Sequence, residues 1–273
     1  MIETKKDKLF NVLRFVYVLL VIVIMYLPIL IIMFLSVNSS QTGNSFTGFT
    51  LKWYQEIFTN SSLYTSILNS FSVALCTTII SSVLGTFFAI GLNAFNKKLK
   101  AKLMLLNNVP ILNAEIVTGI SIMIICSFLL PVFPKIFGFT TMLIAHVFFT
   151  FPYVVLSVLP KLSEIDNNLY EAAVDLGCPP LKSLWKVVIP SIETGILSGA
   201  MLAFTMSIDD FVISYFTTGN GFTNFSNWIY VRLGRRNFTP AAFAYNSLLT
   251  IVMLLILLLP QLKRVNAKSK KRG

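Results

Sequence analysis

Residues 15–37 read FVYVLLVIVIMYLPILIIMFLSV, a run of 23 positions with no charged side chain. An α-helix rises about 1.5 Å per residue, so such a run reaches about 35 Å, more than the ~30 Å hydrocarbon core of a bilayer. A helix also satisfies its backbone hydrogen bonds internally, as lipid requires of a spanning segment. Working outward, five more stretches have the length and apolarity to cross: Ser66–Ala94, Leu103–Leu130, Phe139–Pro160, Thr194–Thr218 and Phe243–Leu262. Composition agrees, with 55% apolar and 12% charged residues and a mean hydropathy of +0.77, whereas soluble domains carry about 25% charged residues. The expected fold class is an all-α membrane protein with six transmembrane helices.

Lys5, Lys6 and Lys8 precede the first run, which raises the reading of a cleaved signal peptide. The run is longer than the usual apolar region of about 7–15 residues, and Ser36–Asn44 offers no small-x-small cleavage site. The segment is therefore expected to remain as the first span.

Lys and Arg in the connections set orientation, because basic loops stay on the cytoplasmic side. The N-terminus, Asn96–Lys102, Lys161–Glu193 and the tail after Leu262 hold 17 of the 22 basic residues. The remaining connections hold Lys52, Lys135, Arg232, Arg235 and Arg236. Both termini are thus expected inside. Residues 1–14 form a cytoplasmic N-terminus, 15–262 the six-helix permease domain with a cytoplasmic loop at 161–193, and 263–273 a basic, disordered cytoplasmic tail.

Several function classes are excluded at this level. The net charge of +11 follows topology, with basic ends suited to anionic headgroups, rather than a folded nucleic-acid surface. Cys76 and Cys126 fall in spans and Cys178 in the loop, which suggests no disulfide framework. One His and no clustered Cys argue against a metal centre. No G-x-x-x-x-G-K-[ST] motif occurs, so the chain holds no P-loop for ATP. No catalytic residue is identified.

The loop at 161–193 carries five of the eleven acidic residues between two apolar runs. Within it, residues 171–180 read EAAVDLGCPP. Asn168 can cap a helix and Glu171 can reach back to it. Gly177 suits the left-handed C′ position, and Pro179 and Pro180 block continuation. A helix of about eight residues, Leu169–Leu176, is marginal in water without packing. Its face of Leu169, Ala172, Ala173 and Leu176 calls for a partner, either a groove in another protein or the chain's own span ends. A second short helix, Leu181–Val188, is expected to end at Pro190.

Three carboxylates fall inside spans: Glu115, Asp209 and Asp210. Each costs about 2.5–3.5 kcal/mol at a helix centre on insertion scales. Counted along continuous helices, Glu115 and Asp209 lie roughly 18 and 22 Å up from the inner side. No Lys or Arg sits mid-span to balance them, so a cationic cargo is one candidate counter-charge. Protonation, or pairing with Ser, Asn or a neighbouring subunit, is the structural alternative. On one helix Asp209 and Asp210 point about 100° apart, so at most one of them is expected to share a path with Glu115. His146 is read as a satisfied polar residue at a helix interface. Pro28, Pro110 and Pro152 are read as kinks or span starts.

Glu171, Ala172, Ala173, Gly177, Val187, Ile189 and Pro190 resemble the EAA-x3-G-x9-I-x-L-P loop of ABC importer permeases, with Val and Ile replacing the pattern's Ile and Leu. GAMLAFTMSIDDFVISYFTTG at 199–219, NSFSVA at 69–74 and PILNAEIVTGISIM at 110–123 are similar to the spermidine/putrescine permeases, in particular the PotC-like subunit. The resemblance implies a type I ABC importer permease (MetI-like) architecture in the bacterial cytoplasmic membrane. It implies that Leu169–Leu176 is a coupling helix docking on a separate ATPase, with Glu171, Ala172, Ala173, Gly177 and Pro190 in the coupling loop. It further implies a second homologous permease, two ATP-binding ATPase subunits that hold ATP and Mg, an extracytoplasmic polyamine-binding protein, and polyamine cargo passing Glu115, Asp209 and Asp210. This chain needs no cofactor of its own under that reading, binds no nucleic acid and is no enzyme.

The aromatic stretch Phe46–Leu63 and the Arg232, Arg235, Arg236 cluster are expected outside, as an interfacial segment and as solvated or binding-protein-facing charge. Two alternatives stay open: an ABC permease for another small cationic or amino-acid-like solute, and an ion-coupled secondary carrier using the three acids. A carrier has no need for the EAA loop.

Overall fold

The computed structural model describes residues 5–40, 46–165, 168–219, 221–234 and 240–270. They are helical almost throughout: α1 (Lys5–Leu35), α2 (Lys52–Thr59), α3 (Ser61–Ala94), α4 (Lys97–Leu112), α5 (Glu115–Leu129), α6 (Phe139–Glu164) and α7 (Asn168–Asp175) come first. There follow α8 (Pro180–Ser183), a π-helical turn at Leu184–Val188, α9 (Ile189–Ser191), α10 (Glu193–Ile208), α11 (Val212–Thr217), α12 (Phe225–Gly234) and α13 (Ala241–Lys270). Three helices, Phe10–Leu35 of α1, α3 and α6, are long and apolar enough to cross a membrane unbroken. Two bent pairs, α4 with α5 and Pro180–Ser191 with α10, bring the total among the described residues to five. The expected sixth span falls in α13, whose shorter apolar stretch is Ala241–Ile256.

The chain divides into two compact units, Met1–Tyr64 with Arg232–Gly273, and Thr65–Val231. In the first, α13 packs on α1 and α2. The aromatic stretch expected at the interface contains α2, with Trp53 and Ile57 buried and Phe49 and Phe58 exposed. Trp53 Nε1 donates to the carbonyl of Asn38 at 2.7 Å, which satisfies the indole as its ring leaves water. The tail expected to be disordered continues as helix to Lys270, because Gln261–Lys270 holds strong helix formers and no Gly or Pro. Arg235 and Arg236 lie outside the described residues.

In the second unit α6 is the central helix, with α4, α5, α10 and α11 packed on it. Between helices in lipid there is little hydrophobic drive, so close backbone approach through small residues does the packing. On α10, Gly195, Gly199, Ala203 and Ser207 recur every fourth residue and all are buried. Gly195 lies against Lys161 and Gly199 against Val154 and Ser157 of α6. Val154 also meets Gly85 of α3. Around this junction Ala89, Leu92, Val155, Val158, Leu162 and Ile192 complete a buried cluster.

Three sequence expectations change here. The third span is not one helix: α4 and α5 meet at 98°. Pro110 removes an amide from the last turn of α4, and Asn113 and Ala114 are extended. The fifth span is also interrupted, since α10 stops at Ile208 and α11 begins at Val212. Depths and directions counted along continuous helices therefore do not apply to Glu115, Asp209 and Asp210. Finally, Pro190 does not end the helix after the loop. The π-turn at Leu184–Val188 widens the hydrogen-bond register just before Pro190, so the missing amide is absorbed and the helix runs to Ser191.

Candidate translocation site and coupling loop

The break between α10 and α11 is built around Asp210. Its Oδ2 accepts from the Ser214 amide at 2.7 Å and its Oδ1 from the Ile213 amide at 3.4 Å, so the carboxylate caps the first turn of α11. His146 of α6 brings Nε2 to 3.4 Å from Asp210 Oδ2. The same ring places Nδ1 2.7 Å from Ser207 Oγ and Nε2 2.9 Å from Ser214 Oγ. Below it, Thr150 Oγ1 donates to the His146 carbonyl at 2.7 Å and meets Ser81 Oγ of α3, also at 2.7 Å. On the far side, Asn224 Nδ2 donates to the Asp210 carbonyl at 3.3 Å, and Asn224 Oδ1 caps α12 through the Asn227 amide at 3.0 Å. Asn69 Nδ2 and Ser70 Oγ of α3 hold the same loop at Thr223 and Phe225. Freed backbone groups at a break need such partners inside a bilayer.

Asp209 and Asp210 do not diverge on one helix face, as the sequence had suggested. Asp209 ends α10 and is exposed, whereas the Asp210 side chain is 6% exposed. His146 is 1% exposed with both ring nitrogens engaged, which agrees with a satisfied polar residue. It also partly answers the charge imbalance noted from sequence, since Asp210 has a basic ring beside it. Among the described residues, Asp209 and Glu115 have no ion-pair partner.

Glu115 opens α5 just past the 98° bend. It lines a recess of about 230 Å³ together with Asn113, Thr118, Tyr153, Met206 and Ile213. Asn113 Nδ2 donates to Thr118 Oγ1 at 3.0 Å across the recess rim. Met206 and Ile213 flank the α10–α11 break, so Glu115 shares its recess with residues on both sides of the Asp pair. Gly119 permits this approach, because a methyl there would stand 3.4 Å from the Ile213 Cα.

On the loop, α7 spans Asn168–Asp175 and ends as its sequence requires. The Cys178 amide donates to the Ala173 carbonyl at 3.1 Å and the Gly177 amide to the Val174 carbonyl at 2.8 Å, a Schellman cap. Gly177 takes φ +82°, a conformation that L side chains resist. Leu169 and Tyr170 share a small recess with Leu162, Val187 and Val188, so the start of α7 is seated on its own chain. The other end is bare: Leu176 is 89% exposed and Leu181 76%. Glu171 and Ala172 are exposed and Ala173 half-buried.

Residues 81–272 match the family described as binding-protein-dependent transport system inner membrane component. The chain belongs to that family. This permease is 31% identical over 226 residues to the putrescine transport system permease protein PotI of Escherichia coli strain K12, covering 81% of its own length and 80% of the relative's. It is 30% identical over 251 residues to the spermidine/putrescine transport system permease protein PotC of the same strain, with 91% of each chain covered. The PotC of Haemophilus influenzae is 29% identical over 250 residues, 92% of this chain and 95% of that one. Among solved structures, a bacterial ABC transporter that imports the acidic polysaccharide alginate superposes with a TM-score of 0.73 at 12% identity, covering 95% and 96% of the two chains. An amino acid ABC transporter with histidines gives 0.56 at 15% identity, over 80% of the permease and 99% of that chain. These structures establish the fold: the permease is a multi-pass helical membrane protein with the architecture of ABC importer permeases.

Two features escaped sequence reasoning. The Gly195, Gly199, Ala203, Ser207 stripe is a small-x3-small repeat, legible by its spacing of four. The convergence of Ser207 and Ser214 on His146 left no local signal, because it depends on the break.

Proposed function

We propose that this chain is a permease subunit of an ATP-driven importer for polyamines such as spermidine and putrescine, in the bacterial cytoplasmic membrane with both termini inside. The carrying observation is the pairing of the Schellman-capped α7, which exposes Leu176 beside Ala172, with a set of intramembrane acids at the α10–α11 break. The names of the 29–31% identical relatives support polyamines as the cargo.

In this reading α7 is the coupling helix. Its first turn is anchored on the permease, and its bare end, with Glu171, Ala172, Ala173, Gly177 and Pro190 in the surrounding loop, seats in a cleft of a separate ATPase subunit that holds ATP and Mg. A second homologous permease encloses the pathway, and each permease meets one of two ATPase subunits. An external polyamine-binding protein delivers cargo. ATP binding closes the ATPase pair and draws the coupling helices together, which opens the pathway outward; hydrolysis resets it. Glu115, Asp209 and Asp210 offer counter-charge to a polycation that would otherwise cross low dielectric alone. The chain itself performs no chemistry.

The test is uptake of labelled putrescine and spermidine into membrane vesicles containing the permease and its partners. Uptake requiring ATP, surviving a protonophore and outcompeting other cations and amino acids is expected. Uptake that is abolished by the protonophore and indifferent to ATP would instead indicate an ion-coupled carrier.

A further inference from the structure

His146 is the chain's single histidine, and its surroundings do more than satisfy it. A ring that merely needed partners could take them from any neighbour. Instead Nδ1 reaches Ser207 in the last turn of α10, while Nε2 reaches Ser214 in the first turn of α11 and the carboxylate of Asp210 between them. The ring thus spans the one place in the fifth segment where backbone hydrogen bonding is interrupted. A carboxylate only accepts, so the arrangement suits donation from Nε2 to Asp210, with the Ser207 hydroxyl able to donate or accept at Nδ1. Phe149 backs the ring, edge-on at 5.4 Å between centroids, while Thr150 donates to the His146 backbone carbonyl.

Asp210 is consequently committed within the chain. Its two oxygens hold the Ile213 and Ser214 amides, and one of them also faces His146. The adjoining Asp209 is exposed and without an ion-pair partner among the described residues.

We propose that His146 is a positioning residue: by clamping Ser207 and Ser214 across the break and holding Asp210 as the cap of α11, it aims Asp209 at the ammonium groups of the cargo. This rests on the proposed role of the intramembrane acids in polyamine passage. His146 itself does not touch cargo; it acts through the break.

The test is a double-mutant cycle on polyamine uptake in vesicles holding the complete importer, normalised to permease amount. It pairs His146→Phe, which keeps a ring but cannot bridge, with Asp209→Asn, a residue that His146 does not contact. Each single change is expected to lower uptake at least about tenfold, and the double change to fall no more than about twofold below the worse single, because one effect runs through the other. Losses that multiply to about a hundredfold mean that His146 acts independently of Asp209 and overturn the inference, as does normal uptake by His146→Phe while Asp209→Asn is impaired. Normal uptake by Asp209→Asn removes the role of that acid in cargo passage. Should His146→Phe fail to reach the membrane, Ser207→Ala and Ser214→Ala each remove one strut, and the same cycle is run with them; wild-type uptake by both overturns the clamp.

Discussion

Gly199 of α10 lies against the backbone of Val154 in α6, so closely that a methyl group on Gly199 would stand 3.1 Å from the Val154 Cα. From the other side, a methyl on Gly85 of α3 would stand 2.8 Å from the same valine's Cγ1. Val154, fully buried, is the meeting point of three helices. Gly199→Val or Gly85→Val is expected to destabilise the permease by about 1–3 kcal/mol through overpacking. Gly91→Ala, where nothing lies within 4 Å of the added methyl, is the control and should be neutral to slightly stabilising, because alanine favours helix over glycine. Thermal unfolding of the detergent-purified protein measures the difference.

Gly177 presents the opposite situation. No atom of the chain lies within 4 Å of a methyl group placed there, so within the permease itself the strain of substitution comes from its φ of +82°. Gly177→Val should cost about 1–2 kcal/mol at the end of α7, whereas Gly177→Asn, which tolerates left-handed backbone, should be mild. Cargo-stimulated ATPase activity at equal membrane level is the readout, with Val low and Asn near wild type.

The bare end of α7 gives a prediction that separates docking from folding. Leu176→Glu removes an 89% exposed leucine, so the permease should unfold at an unchanged temperature. ATPase coupling and the yield of crosslinks from Ala173→Cys to the ATPase should fall severalfold. An unchanged crosslink yield would count against α7 as the docking element.

At the helix break, the capping role of Asp210 can be isolated from its charge. Asp210→Asn keeps an acceptor for the Ser214 amide, whereas Asp210→Ala leaves it unpaired. The alanine variant should be less stable than the asparagine variant by about 1 kcal/mol. Paired thermal unfolding curves check this, and equal stabilities would show that the 2.7 Å bond contributes little.

In the unit containing α1, α2 and α13, Trp53→Phe keeps an aromatic body but removes the donor to Asn38. Loss of that one buried bond should cost about 0.5–1.5 kcal/mol. Hydrogen exchange around Asn38 is expected to quicken in the variant.

Much of this molecule could be read from residue order. The run at 15–37 falls, as far as Leu35, within a single helix that begins at Lys5. EAAVDLGCPP became α7 with its left-handed glycine, because capping and glycine geometry are local and act over a few residues. Glu115, Asp209 and Asp210 stood out because each is a carboxylate within an apolar run, which residue order alone displays. What went unread was the shape of the third and fifth segments. Apolar length alone cannot distinguish one span from two helices bent at 98°. A proline and two extended residues in one case, and a carboxylate with a histidine from elsewhere in the other, decide that.

Sequence by itself therefore determined membrane residence, the short capped helix that interrupts the apolar runs, and the carboxylates placed within those runs, because hydropathy and short-range backbone preferences are properties of the chain. Only the tertiary structure decided which acid is committed and which is free. His146 and Asp210 are 64 positions apart in the chain, and the 3.4 Å contact that joins them exists only once α6 and α10 have closed along their small-residue seam.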